Sequence, residues 1–272
     1  MINDVVVIMS VYESDNLDYL KEAVESILSQ TVSCDFVIFK DGFINSEMEA
    51  YIQSIMDNEL IKVMSCSENK GLAHALNSMI DYALNEGYKF IARMDSDDIS
   101  RKDRIEKQLC FFLDENNKDI GVVGSYCREF GASFALECKK VPLDPQDLTD
   151  FSITRCPFVH PTVMFRSTIF EGGVRYPTNT NLTEDMALWF ILLQRGIRFS
   201  NLDCILLDYR LNELTLSRRK GLRKALSEVK LRLYYMKALN RVSFSNLSSI
   251  GFRLFFHFLP IPILRLIYKK CR

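Results

Sequence analysis

The sequence predicts an α/β protein with a mixed, mainly parallel sheet flanked by helices, followed by a C-terminal helical tail. Two observations support this class. Short apolar runs alternate with amphipathic segments over the first hundred residues, and polar residues follow each apolar run. With 272 residues, 48% of them hydrophobic, the chain can also bury a large core. We therefore expect a folded protein, not a disordered one.

Four strand–helix repeats make up the first half of the chain. Apolar runs predict strands at 5–10, 36–39, 61–64 and 89–94. Helical periodicity predicts helices after these strands, at 17–28, 48–56, 72–84 and 102–116. Such alternation is typical of a parallel sheet with helices on both faces.

Beyond residue 118 the pattern changes. Two strands that join near Gly131 are predicted at 121–126 and 133–139, and another at 162–165. An apolar helix is predicted at 186–193, ending at Gly196. We expect these elements to extend the same sheet.

Polar residues gather where the four predicted strands end. In strand order they are Val11-Tyr12-Glu13, Lys40-Asp41-Gly42, Glu68-Asn69-Lys70-Gly71 and Asp95-Ser96-Asp97-Asp98. Ligand sites in open α/β sheets form at the carboxyl ends of the strands. We therefore expect the four strand ends to meet in one crevice.

The acidic turn after the fourth strand predicts a divalent-cation site. Asp95, Asp97 and Asp98 are clustered carboxylates, which repel one another unless a cation lies among them. A solvated acidic turn is the ordinary alternative, but the preceding apolar strand and the place at the sheet edge favour a ligand. An EF-hand calcium loop does not fit, because Ile99 and Ser100 stand where it needs an oxygen ligand and a glycine.

Five motifs, taken in order, resemble those of the family 2 inverting glycosyltransferases of GT-A fold. They are Val7-Ile8-Met9-Ser10-Val11-Tyr12, Asp41-Gly42, Asn69-Lys70-Gly71-Leu72-Ala73, Arg93-Met94-Asp95-Ser96-Asp97-Asp98 and Glu184-Asp185. Asp95-Ser96-Asp97 is similar to the DxD motif of these enzymes, which is a weak signal alone but a strong one in this order. The resemblance covers about residues 3–210 and extends to transferases of bacterial surface-polysaccharide and O-antigen synthesis.

The resemblance implies a UDP-sugar site in the first half. Asp41 would hydrogen-bond the uracil, Asp95 would face the ribose, and Asp97, with Asp95 beside it, would ligate Mn²⁺ or Mg²⁺ on the diphosphate. Val11 and Glu13 would line the base and ribose. Further donor contacts are expected from Tyr12, Lys70, Arg93, Ser96 and Arg210.

The resemblance also implies a catalytic base. Asp185 would take the acceptor proton and Glu184 would orient the acceptor. Carboxylates at a helix start are also ordinary charges stabilised by the helix dipole. Asp98 and His160 are expected to contact acceptor or metal, although a lone histidine is as often a structural group. The chain lacks the QxxRW motif of processive synthases, which favours single addition.

The charge is unevenly distributed. Residues 218–272 contain 14 Lys/Arg and one acidic residue, so this tail carries about +13 and residues 1–217 about −14. We expect a catalytic domain at 1–217, with a donor-binding half at 1–118 and an acceptor-binding half at 119–217. Within the tail, residues 247–268 are too interrupted to span a bilayer and fit an interfacial segment. A terminal helix packed on the acidic body is the alternative.

These features predict a cytoplasmic enzyme at the inner face of the cell membrane. The N-terminus lacks the basic region and cleavage site of a signal peptide. The expected partners are a UDP-sugar and a saccharide carried on a polyprenyl diphosphate, with no nucleic acid and no obligate protein partner. A nucleotidyltransferase would need a Gly-rich, basic phosphate loop at 10–14, which is not there. UDP-galactose, UDP-glucose and UDP-N-acetylglucosamine all remain open as donor.

Overall fold

The structure is a computed structural model that describes residues 4–180, 183–213, 222–256, 259–260, 263–265 and 267. Its centre is an eight-stranded mixed sheet with the order β3-β2-β1-β4-β7-β6-β8-β5. The strands are β1 (Val5–Val11), β2 (Asp35–Asp41), β3 (Ile61–Cys66), β4 (Phe90–Met94), β5 (Ile99–Ser100), β6 (Ile120–Phe130), β7 (Met164–Arg166) and β8 (Arg198–Arg210).

Strands β1 to β4 are parallel, and β7 runs antiparallel to both of its neighbours, β4 and β6. Strands β6 and β8 are parallel to each other, and β5 pairs antiparallel with β8. The carboxyl ends of β1, β2, β3, β4, β6 and β8 therefore lie along one edge of the sheet. This edge carries the polar strand ends that the sequence singles out.

Nine helices accompany the sheet in the described part of the chain. They are α1 (Leu17–Leu28), α2 (Ser46–Ile55), α3 (Leu72–Asn85), α4 (Arg104–Leu113), α5 (Pro145–Thr154), α6 (Thr168–Glu171), α7 (Glu184–Gln194), α8 (Leu222–Ala238) and α9 (Phe244–Phe256). Short 3-10 helices cover Glu115–Asn117 and His160–Thr162.

The core lies on both faces of the sheet. Along β1, alternate residues point to opposite faces: Val5 and Val7 pack in the cluster that includes α1, α2 and α4, and Val6 and Ile8 in the cluster that includes α3 and α7. All four side chains are buried. A strand covered on both faces has to be apolar throughout, which explains the unbroken Val5–Met9 run.

The predicted extension of one sheet into the second half of the chain is confirmed, but one predicted strand is wrong. Residues 133–139 form only an isolated bridge, between Cys127 and Lys139. Leu136 and Lys139 do hydrogen-bond β6, but the tight turn after Gly131 brings the segment alongside it at separated points only. Strands β5 and β8 are additional to the strands predicted from the sequence.

The described part of the tail packs on the body. Tyr235, Met236 and Ile250 share a buried cluster with Met186 and Phe190 of α7. The rings of Phe190 and Tyr235 stack with centroids 4.7 Å apart. No helix within the described ranges is long and apolar enough to cross a bilayer.

Candidate active site

The acidic turn lies between β4 and β5 at the carboxyl edge of the sheet. Asp95, Asp97 and Asp98 each offer a carboxylate oxygen, and these oxygens lie within 4.8 Å of one another. Arg210, at the end of β8, fixes the turn: its backbone N–H donates to Asp98 Oδ1 (2.8 Å) and its Nε donates to the Asp97 carbonyl (2.7 Å). The pairing of β5 with β8 therefore sets the position of the three carboxylates.

Charge repulsion is strong inside this turn. Burial, and then the charges of Asp95 and Asp97, raise the pKa of Asp98 well above its ordinary value. The Asp97 side chain reaches the crevice surface, yet desolvation by the surrounding turn and then the charges of Asp95 and Asp15 raise its pKa to about 7. Asp98 Oδ2 is buried and accepts no hydrogen bond in the structure. A hard divalent cation with oxygen ligands fits this donor set, because it would offset the repulsion and give Oδ2 a partner.

Two buried arginines lie beneath the turn. Arg93 is only 2% exposed and forms an ion pair with Asp95. Burial alone would lower the pKa of Arg93, but the charge of Asp95 outweighs it and the pKa is raised. Arg104 donates to the Arg93 carbonyl at 2.7 Å, and burial followed by the charge of Arg93 lowers the pKa of Arg104 to about 9. Because Arg93 is buried, its positive charge acts on the crevice through the ion pair with Asp95.

The ends of β2 and β3 are tied together by Asp41. Its two carboxylate oxygens accept the backbone N–H groups of Lys70 and Gly71, both at 2.9 Å. Gly42 has φ +82°, and a Cβ at this position would lie 2.5 Å from the backbone nitrogen of Asn69. The Lys70 side chain is exposed at the start of α3. Asp41 is buried and therefore orders this loop, and the Cys66 thiol also donates to its Oδ1.

The loop after β1 is tied to the acidic turn by a residue that the sequence analysis missed. Asp15 Oδ2 accepts the backbone N–H of Tyr12 at 3.1 Å and the hydroxyl of Ser96 at 2.9 Å. Burial raises the pKa of Asp15 to about 6. Val11 is buried, while Tyr12 and Glu13 are exposed at the crevice. Because Asp15 precedes a helix start, it has the pattern of an ordinary helix-entry residue and no motif marks it.

The Arg210 side chain links the acidic turn to α1. Its guanidinium pairs with Glu22 and lies 3.9 Å above the ring of Tyr19. The side chain is only 14% exposed. In the structure Arg210 therefore contacts the protein on both sides of the turn, next to the region where a diphosphate contact is predicted.

Glu184 and Asp185 begin α7 on the other side of the crevice. Asp185 Oδ1 accepts the backbone N–H of Met186 at 2.7 Å, and the Cys156 sulfur lies 3.7 Å from Oδ2. Both carboxylates are partly exposed. One oxygen of Asp185 is thus oriented by the helix start.

A buried tyrosine lies within the electrostatic influence of both acidic groups. Tyr176 is 1% exposed, and its hydroxyl lies 2.8 Å from His160 Nε2. Burial raises the pKa of Tyr176; the charge of Arg93 opposes this shift, and the charges of Asp185, Glu184 and Asp95 add to it. The charges of both the acidic turn and the Glu184-Asp185 pair therefore act on the Tyr176 phenol. The sequence analysis missed Tyr176, which carries no motif.

His160 is held as a neutral group in this arrangement. Burial, and then the positive charge of Arg93, lower its pKa well below the ordinary value. Its ring also lies edge-on to Trp189, with centroids 5.8 Å apart. Two hydrogen bonds between Asn77 and the backbone of Tyr176, at 2.8 and 2.9 Å, fix the pair to α3. In the structure His160 is a partner of Tyr176.

This fold and site define the class of protein. The fold is similar to that of Staphylococcus aureus TarS residues 1–349 in complex with UDP-GlcNAc, with a TM-score of 0.64, 15% sequence identity and coverage of 93% of this chain and 72% of that chain. It is also similar to the mannosyltransferase PcManGT from Pyrobaculum calidifontis in complex with GDP-Man and Mn²⁺ (TM-score 0.62, 15% identity, 98% of this chain and 73% of that chain). The fold is that of the GT-A glycosyltransferases.

Sequence similarity places the chain more narrowly. The model of Glycosyl transferase family 2 matches residues 6–167, and the chain belongs to that family. It is 33% identical, over 97% of this chain and 94% of the relative, to the UDP-Gal:alpha-D-GlcNAc-diphosphoundecaprenol beta-1,3-galactosyltransferase of Escherichia coli. It is 27% identical to the amylovoran biosynthesis glycosyltransferase AmsE of Erwinia amylovora, over 98% of both chains. The chain is a glycosyltransferase, as the sequence motifs predict.

Proposed function

We propose that this glycosyltransferase transfers a single hexose from a UDP-sugar, with inversion, to a saccharide carried on a polyprenyl diphosphate in bacterial surface-polysaccharide synthesis. The observation that carries the proposal is the carboxylate cluster of the acidic turn, together with a second acidic pair at the start of α7. The Asp95, Asp97 and Asp98 oxygens lie within 4.8 Å of one another on one side, and Glu184 and Asp185 begin α7 on the other.

The acidic turn is the proposed donor end. Asp97, with Asp95 and Asp98 beside it, would hold Mn²⁺ or Mg²⁺, which when bound neutralises charge on the departing diphosphate. Asp41 would accept the uracil N–H with its remaining lone pairs, between the exposed Tyr12 and the start of α3. The first residues of α3 have no side-chain cap, so their backbone N–H groups are suited to a phosphate.

The start of α7 is the proposed acceptor end. Asp185 would remove the proton of the acceptor hydroxyl as its oxygen attacks the anomeric carbon from the face opposite to UDP. Glu184 would orient the acceptor. Since a single carboxylate serves as base and none forms a covalent intermediate, the configuration at the anomeric carbon inverts.

UDP-galactose is the first donor to test, with UDP-glucose and UDP-N-acetylglucosamine as alternatives. The E. coli relative, matched over nearly the whole of both chains, is named for UDP-Gal and for an α-D-GlcNAc-diphosphoundecaprenol acceptor. This coverage includes α7 and the described tail as well as the donor half. We extend the same substrate class, a UDP-hexose and a lipid diphosphate saccharide, to this chain.

The decisive experiment combines binding and turnover. Calorimetry should show UDP binding that depends on Mn²⁺ or Mg²⁺, and a panel of the three UDP-sugars with a GlcNAc-diphosphate lipid should give one preferred donor. NMR of the product should show a β linkage from the α-linked donor. Absence of UDP binding with either cation would refute the proposed donor end, and a retained anomeric configuration would refute the role of Asp185.

We also propose that the enzyme acts at the inner face of the cell membrane, with the tail at the bilayer surface. The substrate class supports this location, because a polyprenyl carrier keeps the acceptor in the bilayer. The charge of residues 218–272 supports it as well, since 14 Lys/Arg stand against one acidic residue.

A further inference from the structure

We infer that the outer sides of α8 and α9 form a membrane-docking face that binds an anionic lipid surface. The docking face consists of Leu226, Lys230, Leu233, Tyr234, Lys237, Phe244, Leu247 and Phe252. This inference adds a surface, an orientation and named residues to the proposed function, on which its biological meaning rests.

Exposed apolar side chains are concentrated in α8, in α9 and in the segments beside them. Of the 14 exposed large hydrophobic side chains in the described chain, eight lie beyond residue 221. Phe244 is 88% exposed, Tyr234 62% and Phe252 59%. Single exposed hydrophobic residues are ordinary, but a contiguous group on one pair of helices marks an interaction surface.

The helical spacing puts these residues on the side away from the core. Leu226, Lys230, Leu233 and Lys237 follow one another at intervals of four, three and four residues, which is one stripe along α8. On α9, residue 250 is buried while residues 244, 247 and 252 are exposed. Each helix thus has an inner side packed on the body, which on α8 includes the Glu228–Arg232 ion pair, and an outer side with exposed leucine and aromatic side chains.

The positive charges on the docking face favour a lipid surface over a protein partner. Lys230 and Lys237 alternate with leucines on the docking face, and neither forms an ion pair within the described ranges. Glu228, the single acid beyond residue 217, points inward to Arg232 and Arg253. Lysine is depleted in protein interfaces, whereas lysines beside leucine and aromatic residues are the composition of helices that lie in an anionic membrane interface.

Docking by this face orients the active site. Helix α8 packs on α7 through the stacked rings of Tyr235 and Phe190. Packed helices lie about 8–10 Å apart, so the lipid surface would be one helix layer from the helix that begins at Glu184-Asp185. A saccharide on a lipid diphosphate would then reach the proposed base while its carrier stays in the bilayer.

The inner contacts determine how the inference must be tested. Ile250 is buried against α5 and α7, and Leu264 is buried with Phe134 and Leu211 near the end of β8. Removing the end of the chain would therefore expose core as well as remove the tail. Substitutions of exposed residues avoid this, because they leave the inner contacts intact.

The test uses full-length protein and vesicles of phosphatidylcholine with or without phosphatidylglycerol. The first variant is Phe244→Ser/Leu247→Ser, with Met56→Ser/Leu113→Ser as its control, since those side chains are 46% and 64% exposed on other surfaces. The second is Lys230→Gln/Lys237→Gln. Its control, Lys62→Gln/Lys118→Gln, removes the same charge from exposed positions elsewhere.

We expect the wild type to co-sediment with anionic vesicles and much less with neutral ones. Loss of the two docking lysines should lower the partition constant roughly 30-fold, and loss of the two apolar residues at least about tenfold. Both controls should bind like wild type, and all variants should bind UDP with the cation equally well.

Either of two results would overturn the inference. In the first, both docking variants co-sediment as the wild type does. In the second, sedimentation velocity shows a dimer that Phe244→Ser/Leu247→Ser converts to monomer while vesicle binding persists, which would assign the face to a second copy. Vesicle binding requires neither donor nor acceptor, so failure of UDP binding with intact docking would refute the proposed function alone.

Discussion

Replacing Glu228 by alanine tests whether the α8–α9 hairpin is an integral part of the fold. Glu228 Oε1 accepts from Arg232 Nε at 2.9 Å and from Arg253 Nε at 2.8 Å. Arg232 also donates to the carbonyls of Ser152 and Ile153 at the end of α5, both at 2.9 Å. One carboxylate therefore compensates two arginines that join α8, α9 and α5.

The magnitude follows from the burial of Arg232, whose side chain is 2% exposed. Without Glu228 this guanidinium keeps two carbonyl partners but loses its counter-charge, and removing one partner of a buried pair costs about 3–5 kcal/mol. Arg253 is 36% exposed and can be hydrated, so we expect the lower half of this range. For a chain of this size that is a fall of about 10 °C in melting temperature.

Urea and thermal unfolding followed by circular dichroism measure this loss. Asp150→Asn is the matched control, because Asp150 pairs with Arg241 at 2.6 Å and also ties the tail to α5, but with side chains 56% and 36% exposed. An exposed pair contributes only about 0–1 kcal/mol. If Glu228→Ala unfolds within 1 kcal/mol of the control, the reasoning about the buried pair is wrong.

The same pair gives a pH dependence with a definite sign. Burial alone would raise the pKa of Glu228, but the charges of Arg253 and Arg232 outweigh it and lower the pKa below its ordinary 4.5. The stability that the pair contributes is therefore complete above that pH and is lost as the pH falls through the lowered folded-state pKa. The difference between wild type and Glu228→Ala should shrink in this acid range. A difference that grows on acidification would contradict the assignment.

Three further changes probe the site. Asp97→Ala should abolish transfer and cation-dependent UDP binding, because the proposed cation loses a ligand; near-normal Mn²⁺-dependent transfer would contradict this. Asp185→Asn keeps the helix start but removes the base, so turnover should fall about 10²- to 10⁴-fold while calorimetry shows normal UDP binding; weakened UDP binding with normal turnover would contradict it. Gly42→Ala should destabilise the protein in urea by more than about 1–2 kcal/mol, since its Cβ would lie 2.5 Å from Asn69 N at φ +82°. Gly87→Ala, at φ +81° with no described atom beyond its chain neighbours within 4 Å of the added Cβ, controls for the backbone strain alone, and equal losses would contradict the proposed clash.

The sequence predicts the first half of the fold because its structure is local. Each strand from β1 to β4 contains a short, mostly apolar stretch, and each following helix shows its own periodicity within one or two turns. The second half depends on pairings between distant segments. Strand β8 pairs with β6 across some 80 residues and with β5 across more than 100. Residues 133–139 have a β-like composition, but they form no regular strand because the segment hydrogen-bonds β6 at only two points.

The site shows the same difference between features that are local in sequence and contacts between distant segments. The carboxylates of the acidic turn are adjacent in sequence, so their proximity follows from the motif. Asp15 bonds Ser96 across 81 residues, and Tyr176 is fixed to Asn77 across 99. Neither contact leaves a local pattern. The burial of Arg93 also has no signal in the sequence. Its charge suggests a phosphate contact, but its side chain is only 2% exposed and lies beneath the acidic turn.

The charges of the acidic turn explain why this site suits a divalent ion. Asp95 is compensated by the buried Arg93, so its charge is already offset within the protein. Arg210 approaches Asp97 and Asp98 through their backbone and carboxylate oxygens, but its own charge is paired with Glu22. Burial and the repulsion among the acidic groups raise the pKa values of Asp97 and Asp98, so without a cation these carboxyls hold protons more readily than ordinary aspartates. A divalent cation held by Asp97 and Asp98 would favour their ionised forms, whose two negative charges it matches, and would offset charge on a bound diphosphate. Arg93 beneath the turn thus influences the charge that the crevice presents through its ion pair with Asp95, and Arg93→Met should weaken UDP binding in Mn²⁺ although the Arg93 side chain is only 2% exposed.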